Sequence, residues 1–268
     1  MLTIDRPKNI PENIIDQRSS FACRLGFMET NGTYHKEIGG EVFTFKSITS
    51  YADFQATIPV QKESFKIKKN INVCPADMLA TLDWTGGMVI AGYNSANEAA
   101  SFIYLWPTRE VGTYVLDMIG VANKYQDKSV GKNIFEVLIL EAIKRGDIKK
   151  INLTYDPLMV RNANLYIKKM GGEVTSFKHN PYGEALAGDR FVVSYDLTHP
   201  LDVIDRISCQ NNNFESINLC DLPQVRDGNY PDEDIVVLPA PSKCKLRSKK
   251  ETLVVDSEIG LPVSREQY

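Results

Sequence analysis

The chain has 268 residues, 43% hydrophobic and 24% charged, and 31 Lys and Arg against 34 Asp and Glu leave a formal net charge of −3. This composition excludes disorder throughout and supplies enough apolar surface for one large core with appendages, or for two small domains. It also excludes a global basic field, so small molecules rather than nucleic acid or an anionic membrane are the expected partners.

Residues 1–40 are polar and broken by Pro7, Pro11, Gly32, Gly39 and Gly40, and read as an irregular lead-in holding at most a short helix or strand. "EVFTFKSI" (41–48) alternates as a strand. "TSYADFQATIPVQKESF" follows with Ser50 as a cap and helical spacing until Pro59 interrupts it. "GGMVIAGY" (86–93) and "ASFIYLW" (100–106) are strands separated by "NSANEA", whose Asn and Ser residues suit a hairpin. "TYVLDMIGVA" (113–122) is apolar on both faces and so central in a sheet. A long apolar helix comes next, stopped by Gly146, then the strand "KINLTYD" (150–156), the helix "PLMVRNANLYIKKM" ended by Gly171, and the strand "FVVSYDL" (191–197). Trp84, Phe102, Tyr104 and Trp106 are expected in the core. After Pro200 the text turns polar and rich in proline, with only "DIVVLPA" and "TLVVDSEI" looking ordered and with a basic patch of Lys243, Lys245, Arg247, Lys249 and Lys250. The resulting plan is a lead-in (1–40), one mixed α and β domain of the α+β class (41–200) and an extension (201–268).

Cys23, Cys74, Cys209, Cys220 and Cys244 stand apart with no C-x-x-C pair, which suits reduced thiols and a cytoplasmic setting. The start of the chain lacks the unbroken apolar stretch of a secretory signal, and no run of about 18 apolar residues occurs, so a soluble protein without membrane contact is expected. His35, His179 and His199 are isolated and no carboxylates have ligand spacing, so no metal is expected.

The junction "NKYQDKSVGKNIF" holds the chemistry. A strand that feeds a helix through a short turn leaves unpaired N–H groups at the helix start, with partial positive charge that suits a phosphate. Gln126, Lys128, Ser129, Val130, Gly131 and Lys132 would surround a diphosphate, with Gly131 allowing close backbone approach and the lysines adding charge. The plain alternative is a Ser129 cap with solvated lysines.

"IGVANKYQDKSVGKNIF" resembles the acyl-CoA-binding motif of the GNAT superfamily of N-acetyltransferases, roughly V-x-x-x-Y-[RQ]-x-x-G-x-[GA]. Val121, Tyr125, Gln126, Val130 and Gly131 fall in place, and Ser129 stands where the family usually has its first glycine. "TYDPLMVRNANLYIKKMGGEV" and "NPYGEALAGDRFVVSYDL" are similar to a bacterial GNAT subgroup with Thr-x-Asp-Pro-Leu, Arg-Asn-Ala, Tyr-Gly and Asp-Arg-Phe in that order. The resemblance covers about residues 42–198. It implies a mixed sheet whose fourth and fifth strands splay, here 113–122 and 150–156, so that backbone of Ile119, Gly120 and Val121 meets the pantetheine arm of acetyl-CoA or another acyl-CoA. Asn162 is implied to touch that arm.

Acyl transfer to an amine requires removal of a proton from the amine and reprotonation of the thiolate. Asp117 is the candidate base. Period-two counting puts it on a face with Val115, Ile119 and Val121, where partial desolvation would raise its pKa. The family's acid is a tyrosine four residues before the helix-ending glycine. Counting back from Gly171 reaches Ile167, so Tyr166 serves only if the helix register differs from the usual one; otherwise solvent protonates the thiolate. The resemblance implies that Tyr182, Glu184 and Arg190, in the loop before the last strand, border the acceptor site, Arg190 either holding a substrate carboxylate or pairing with Asp189. Cys74 is read as outside the cofactor cleft. The expected function is acyl-CoA-dependent N-acylation of a small-molecule amine by direct transfer, and the alternative is a GNAT-fold acyl-CoA-binding or regulatory module that has lost turnover. The extension is left open between covering the acceptor pocket, forming a homodimer contact and staying mobile.

Overall fold

The structure, a computed structural model, describes residues 21–67, 73–183, 188–208, 243–247 and 252–256. Its strands are β1 (Met28–Thr30), β2 (Thr33–Ile38), β3 (Glu41–Ser47), β4 (Met88–Tyr93), β5 (Ala99–Pro107), β6 (Thr113–Val121), β7 (Lys150–Tyr155), β8 (Glu173–Lys178) and β9 (Arg190–Asp196). They form one sheet in the order β1-β2-β3-β4-β5-β6-β7-β9-β8. Pairing is antiparallel from β1 through β6, and the step from β6 to β7 is parallel. A separate antiparallel pair joins β10 (Lys243–Arg247) to β11 (Thr252–Asp256). The basic patch therefore begins on a strand, while "DIVVLPA" lies outside the described residues. Two compact units meet in the chain at Leu153/Thr154, Val193/Ser194 and Ile204/Asp205.

In the first unit the lead-in is more regular than its glycines predict. Asn31 and Gly32 join β1 to β2 with φ of 50° and 74°, and Gly39 and Gly40 join β2 to β3 with φ of 60° and 83°. Two consecutive left-handed residues make a type I′ turn, whose twist matches that of the strands it connects. These glycines mark two hairpins rather than an irregular segment.

Helix α1 (Tyr51–Ser64) starts where expected: Asp53 N–H donates to Ser50 Oγ at 3.1 Å, and Ser50 Oγ donates back to Asp53 Oδ2 at 2.7 Å. It runs straight through Pro59 to Ser64. The missing N–H costs a bond, and burial of Phe54 and Val60 on either side of it keeps the helix in one piece. Helix α2 (Ala76–Trp84) has no counterpart in the sequence reading; Ala76, Leu79 and Leu82 are its buried face. Trp84 is 77% exposed, not in the core. Helix α3 (Val130–Arg145) buries Ile134, Phe135, Val137, Leu138, Ile139 and Ala142 completely and ends on Gly146 at φ 73°. β4 is buried along its whole length, and most of β5 is too.

In the second unit, helix α4 (Val160–Ala163) passes directly into a π-helical turn, Asn164–Lys169. Beside it Tyr155 and Tyr166 pack with ring centroids 5.8 Å apart, and Phe191 joins Tyr155 at 5.9 Å. Helix α5 (Pro200–Ser208) opens the extension. No described helix is long and apolar enough to cross a membrane.

Candidate active site

The feature that organises the site is where the parallel ladder stops. β6 pairs with β7 from Thr113↔Lys150 to Leu116↔Leu153, while β6 itself continues to Val121. On its other side β6 stays paired with β5 out to Ser101↔Val121. Ala122 N–H donates to Ala100 O at 2.9 Å on the β5 side. By antiparallel alternation Gly120 also faces β5, and Ile119 and Val121 turn their backbone groups to the open edge. The Val121 carbonyl there already accepts from Ser64 Oγ at 2.8 Å and Gln126 Nε2 at 3.1 Å. Ile119, with the Val121 N–H, is what the edge offers to a peptide-like ligand.

Gly120 has a different role from the one expected. A Cβ there would lie 2.4 Å from Phe102 Cε1 and 2.9 Å from Ser64 Oγ, so the glycine makes room for the core rather than for a ligand.

The loop after β6 makes a 3-10 turn at Asn123–Tyr125 and then places Asp127 and Ser129 in the left-handed region, with φ of 61° and 65°. Ser129 is the N-cap residue of α3, but its side chain makes no capping bond. Its carbonyl instead accepts two bonds from Asn133, from the backbone N at 3.0 Å and from Nδ2 at 2.8 Å. That clamp holds a serine in a conformation that glycine adopts at no steric cost. The first-turn N–H groups of Val130, Gly131 and Lys132 precede the first intrahelical bond and are not capped by Ser129, which leaves an anion-favouring helix start. Gly131 lies in the helix with ordinary φ, and a Cβ on it would meet only Val121 Cγ2 at 3.4 Å. Its backbone conformation does not demand glycine.

The side chains of the loop are less available than the sequence implied. Gln126 is turned inward onto Val121 O and Asn123 Oδ1. Lys132 pairs at 3.1 Å with Glu136, a carboxylate 1% exposed that also meets Lys36 at 3.4 Å. Lys128 is exposed and lies over the ring of Tyr125, 5.8 Å from its centroid. Tyr125 is buried, accepts a bond from Asn94 Nδ2 at 2.8 Å, and packs edge-on to Phe43.

Asp117 stands at a β-bulge: Tyr104 pairs with Met118 and Leu105 with Leu116, so Asp117 is the extra residue. The bulge breaks the period-two count and turns the side chain out. Asp117 is exposed, so the partial desolvation expected of it is absent. It accepts a hydrogen bond from the Tyr104 hydroxyl at 3.1 Å. Cys74 is half-buried, just ahead of α2. Its position is fixed by buried Gln61, which accepts from Cys74 N at 2.9 Å and donates to Cys74 O at 3.1 Å. Burial above all pushes the Cys74 thiol and the Tyr104 phenol up, and Asp117 adds to both. The sequence marked Tyr104 only as a core residue; it lies 13 residues from Asp117, and the bulge brings the two together.

In the second unit Tyr166 is buried within the π-turn, and burial pushes its phenol up to about 12. A turn closed i→i+5 carries one residue more than an α turn, so the register of Tyr166 relative to Gly171 differs from that of a regular helix. Tyr155 is likewise pushed up to about 12 by burial, and its buried hydroxyl has no hydrogen-bond partner. Asn162 is half-buried on the short helix. The Tyr182 hydroxyl bonds with Thr154 Oγ1 at 3.0 Å, and the Arg190 guanidinium lies 5.5 Å from the Tyr182 ring centre. Arg190 Nη1 donates to the backbone carbonyl of Asp189 at 2.8 Å, whereas the Asp189 carboxylate pairs with His179. Glu184 lies outside the described residues. Among the described residues no group of three His, Cys, Asp or Glu side chains comes together to hold a metal.

No family model and no curated protein matches the chain. Among solved structures it is similar to a Vibrio cholerae spermidine N-acetyltransferase chimera, at 12% identity and a TM-score of 0.50, covering 60% of this chain and 98% of that one. The chain has the GNAT fold. Two further acetyltransferase structures are also similar to the chain. The ribosomal-protein-S18-alanine N-acetyltransferase of Escherichia coli is 17% identical, with a TM-score of 0.48 over 57% of this chain and 93% of that one. A GNAT family acetyltransferase from Elizabethkingia anophelis with acetyl-CoA bound is 18% identical, with a TM-score of 0.43 over 58% and 98%.

Proposed function

We propose that this protein is an acyl-CoA-dependent N-acyltransferase that passes an acetyl group from acetyl-CoA to an amine of a small molecule, directly and within a ternary complex. The observation that carries the reading is the end of the β6 ladder at Leu116↔Leu153, which leaves Ile119 and the Val121 N–H open just ahead of a helix start rich in unpaired N–H groups. A pantetheine arm supplies the amides that such an edge lacks, and a diphosphate supplies the charge that the helix start favours. Lys128 and the backbone of Ser129, Val130, Gly131 and Lys132 would hold that diphosphate. The Lys132 ammonium serves Glu136 first.

Asp117 accepts a proton from the acceptor's ammonium, and its exposure lets a solvent-borne amine reach it. The freed lone pair attacks the thioester carbonyl, the C–N bond forms, the C–S bond breaks, and the nitrogen gives up its second proton to solvent. Tyr166 holds its proton at neutral pH because burial pushes its phenol up to about 12, and it is the proposed donor to the departing thiolate. Asn162 is assigned to the cofactor, and Tyr182, Glu184 and Arg190 to the acceptor. The chain supplies positioning and a carbonyl-polarising amide rather than a covalent intermediate.

The test is release of free thiol. Acetyl-CoA and a panel of small amines, mixed with the protein, are expected to liberate CoA with at least one amine, and Asp117→Asn to suppress it. CoA binding without thiol release from any amine would replace this reading with that of a binding or regulatory module.

A further inference from the structure

Lys36, Lys132 and Glu136 form a charged cluster inside the first unit, at the helix start that the proposed diphosphate would meet. The Glu136 carboxylate is buried, and its two oxygens are divided between two cations: Oε2 meets Lys36 Nζ at 3.4 Å and Oε1 meets Lys132 Nζ at 3.1 Å. A buried carboxylate needs one cationic partner to offset its lost hydration. This one has two.

The two lysines are held unequally. Lys36, on β2, also donates to Leu25 O at 2.6 Å and lies 4.4 Å from the centre of the Phe27 ring, so three groups fix it in place. Burial pushes its pKa below the ordinary value, Glu136 works against that, and the charge of Lys132 adds to it, as expected where two ammoniums share one carboxylate. Lys132 lies in the first turn of α3, and Glu136 is its one ion-pair partner among the described residues. The Cα–Cβ bond of a helical residue tilts toward the helix N-terminus. A Lys132 released from Glu136 would therefore lean back over the unpaired N–H groups of the helix start. In the structure it is drawn the other way, one turn forward.

We propose that Glu136 is an internal competitor for the cofactor's diphosphate: it withholds Lys132 from that group and so sets how tightly acyl-CoA is held. This rests on the acyl-CoA reading and adds to it a residue that the resemblance does not carry. Lys36 makes the exchange possible, because it keeps Glu136 paired whenever Lys132 leaves. The competition has a use in turnover. Substrate and product carry the same diphosphate, so a lysine that gripped it would bind both alike and would not favour the transition state over either. Withholding that grip lets spent CoA leave.

Calorimetric titration of the whole chain with coenzyme A tests the competition and needs no turnover. Glu136→Gln is expected to lower Kd about fivefold, the factor that one partly buried ion pair carries, and to make binding fall more steeply with added salt. Adding Lys132→Met to Glu136→Gln should bring Kd back to within about twofold of the parent. Lys132→Met alone should change Kd by less than about twofold, because Glu136 already holds that ammonium. An unchanged Kd for Glu136→Gln, a tightening that survives the added Lys132→Met, or a larger loss from Lys132→Met alone would each overturn the proposal. Should Glu136→Gln not fold, Lys36→Met with Glu136→Met removes the fixed pair together, a replacement that buried sites tolerate, and the same fivefold tightening is expected. Absence of any binding heat from the parent protein would sink the acyl-CoA reading instead, so the two failures are distinguishable.

Discussion

Replacing Gly120 with alanine tests whether that glycine serves the core or a ligand. The new methyl would lie 2.4 Å and 2.9 Å from Phe102 Cε1 and Cζ, and 2.9 Å from Ser64 Oγ. Carbon atoms in contact rest about 3.5–4.0 Å apart, so Phe102 must retreat by roughly 1 Å. It has no space for that, being fully buried and stacked on Tyr104 at 6.2 Å. Gly120 has no positive φ, so the penalty is steric alone. Overpacking of this kind costs about 2 kcal/mol, which lowers Tm by about 4–8 °C for a chain of this size. Gly131→Ala is the matched control. Its methyl makes one ordinary contact, with Val121 Cγ2 at 3.4 Å, and alanine in a helix gains about 0.5–1 kcal/mol over glycine. Urea midpoints and thermal melts of the two variants should move in opposite directions. Equal stability of Gly120→Ala and the parent would refute the packing argument and return Gly120 to the ligand.

Asn133→Ala frees the Ser129 carbonyl from its Nδ2 bond and is expected to cost about 1 kcal/mol and to weaken CoA binding, read by denaturation and calorimetry. Lys128→Ala should weaken CoA binding a few-fold, and less at high salt, while Lys132→Ala should act mainly on stability because Glu136 loses a partner. Acid should weaken the fold through Asp147. Burial pushes its carboxyl up, but the bonds and charge of Arg145, with the Tyr114 hydroxyl, outweigh that and hold it below its ordinary value of 3.8. A carboxyl with a depressed folded pKa contributes stability above its unfolded value and loses it as pH falls through the folded one. Urea midpoints taken below about pH 4 should therefore fall less steeply for Asp147→Asn than for the parent.

Much of the fold was legible because its signals are local. Ser50 followed by Asp53, the buried runs of β4 and β5, and glycine at the end of α3 each state their element within a few residues. The hairpins at Asn31-Gly32 and Gly39-Gly40 were written just as locally, and were missed because glycines in a polar stretch read equally well as irregular chain. Pro59 misled because a helix with two buried turns tolerates one missing bond. The site was harder to read. Its backbone part, the loop before α3 and the edge of β6, showed through a resemblance that spans strand and helix together. Its side-chain part depended on one extra residue in β6. The bulge at Asp117 leaves no mark on composition, yet it takes Asp117 out of the regular pairing of β6 and brings its carboxylate to Tyr104. The π-turn at Asn164–Lys169 is equally silent, and it alters the register that Tyr166 takes relative to Gly171.

Hydrogen–deuterium exchange of the whole protein, with and without saturating acetyl-CoA, tests the account most directly. Amides of Ile119 and Val121 and of Val130, Gly131 and Lys132 should slow together when the cofactor is added, while β4, already buried along its length, should not change. Bound acetyl-CoA that leaves the exchange of all five unaltered would contradict the account, because the cofactor would then lie somewhere other than the open edge of β6 and the start of α3.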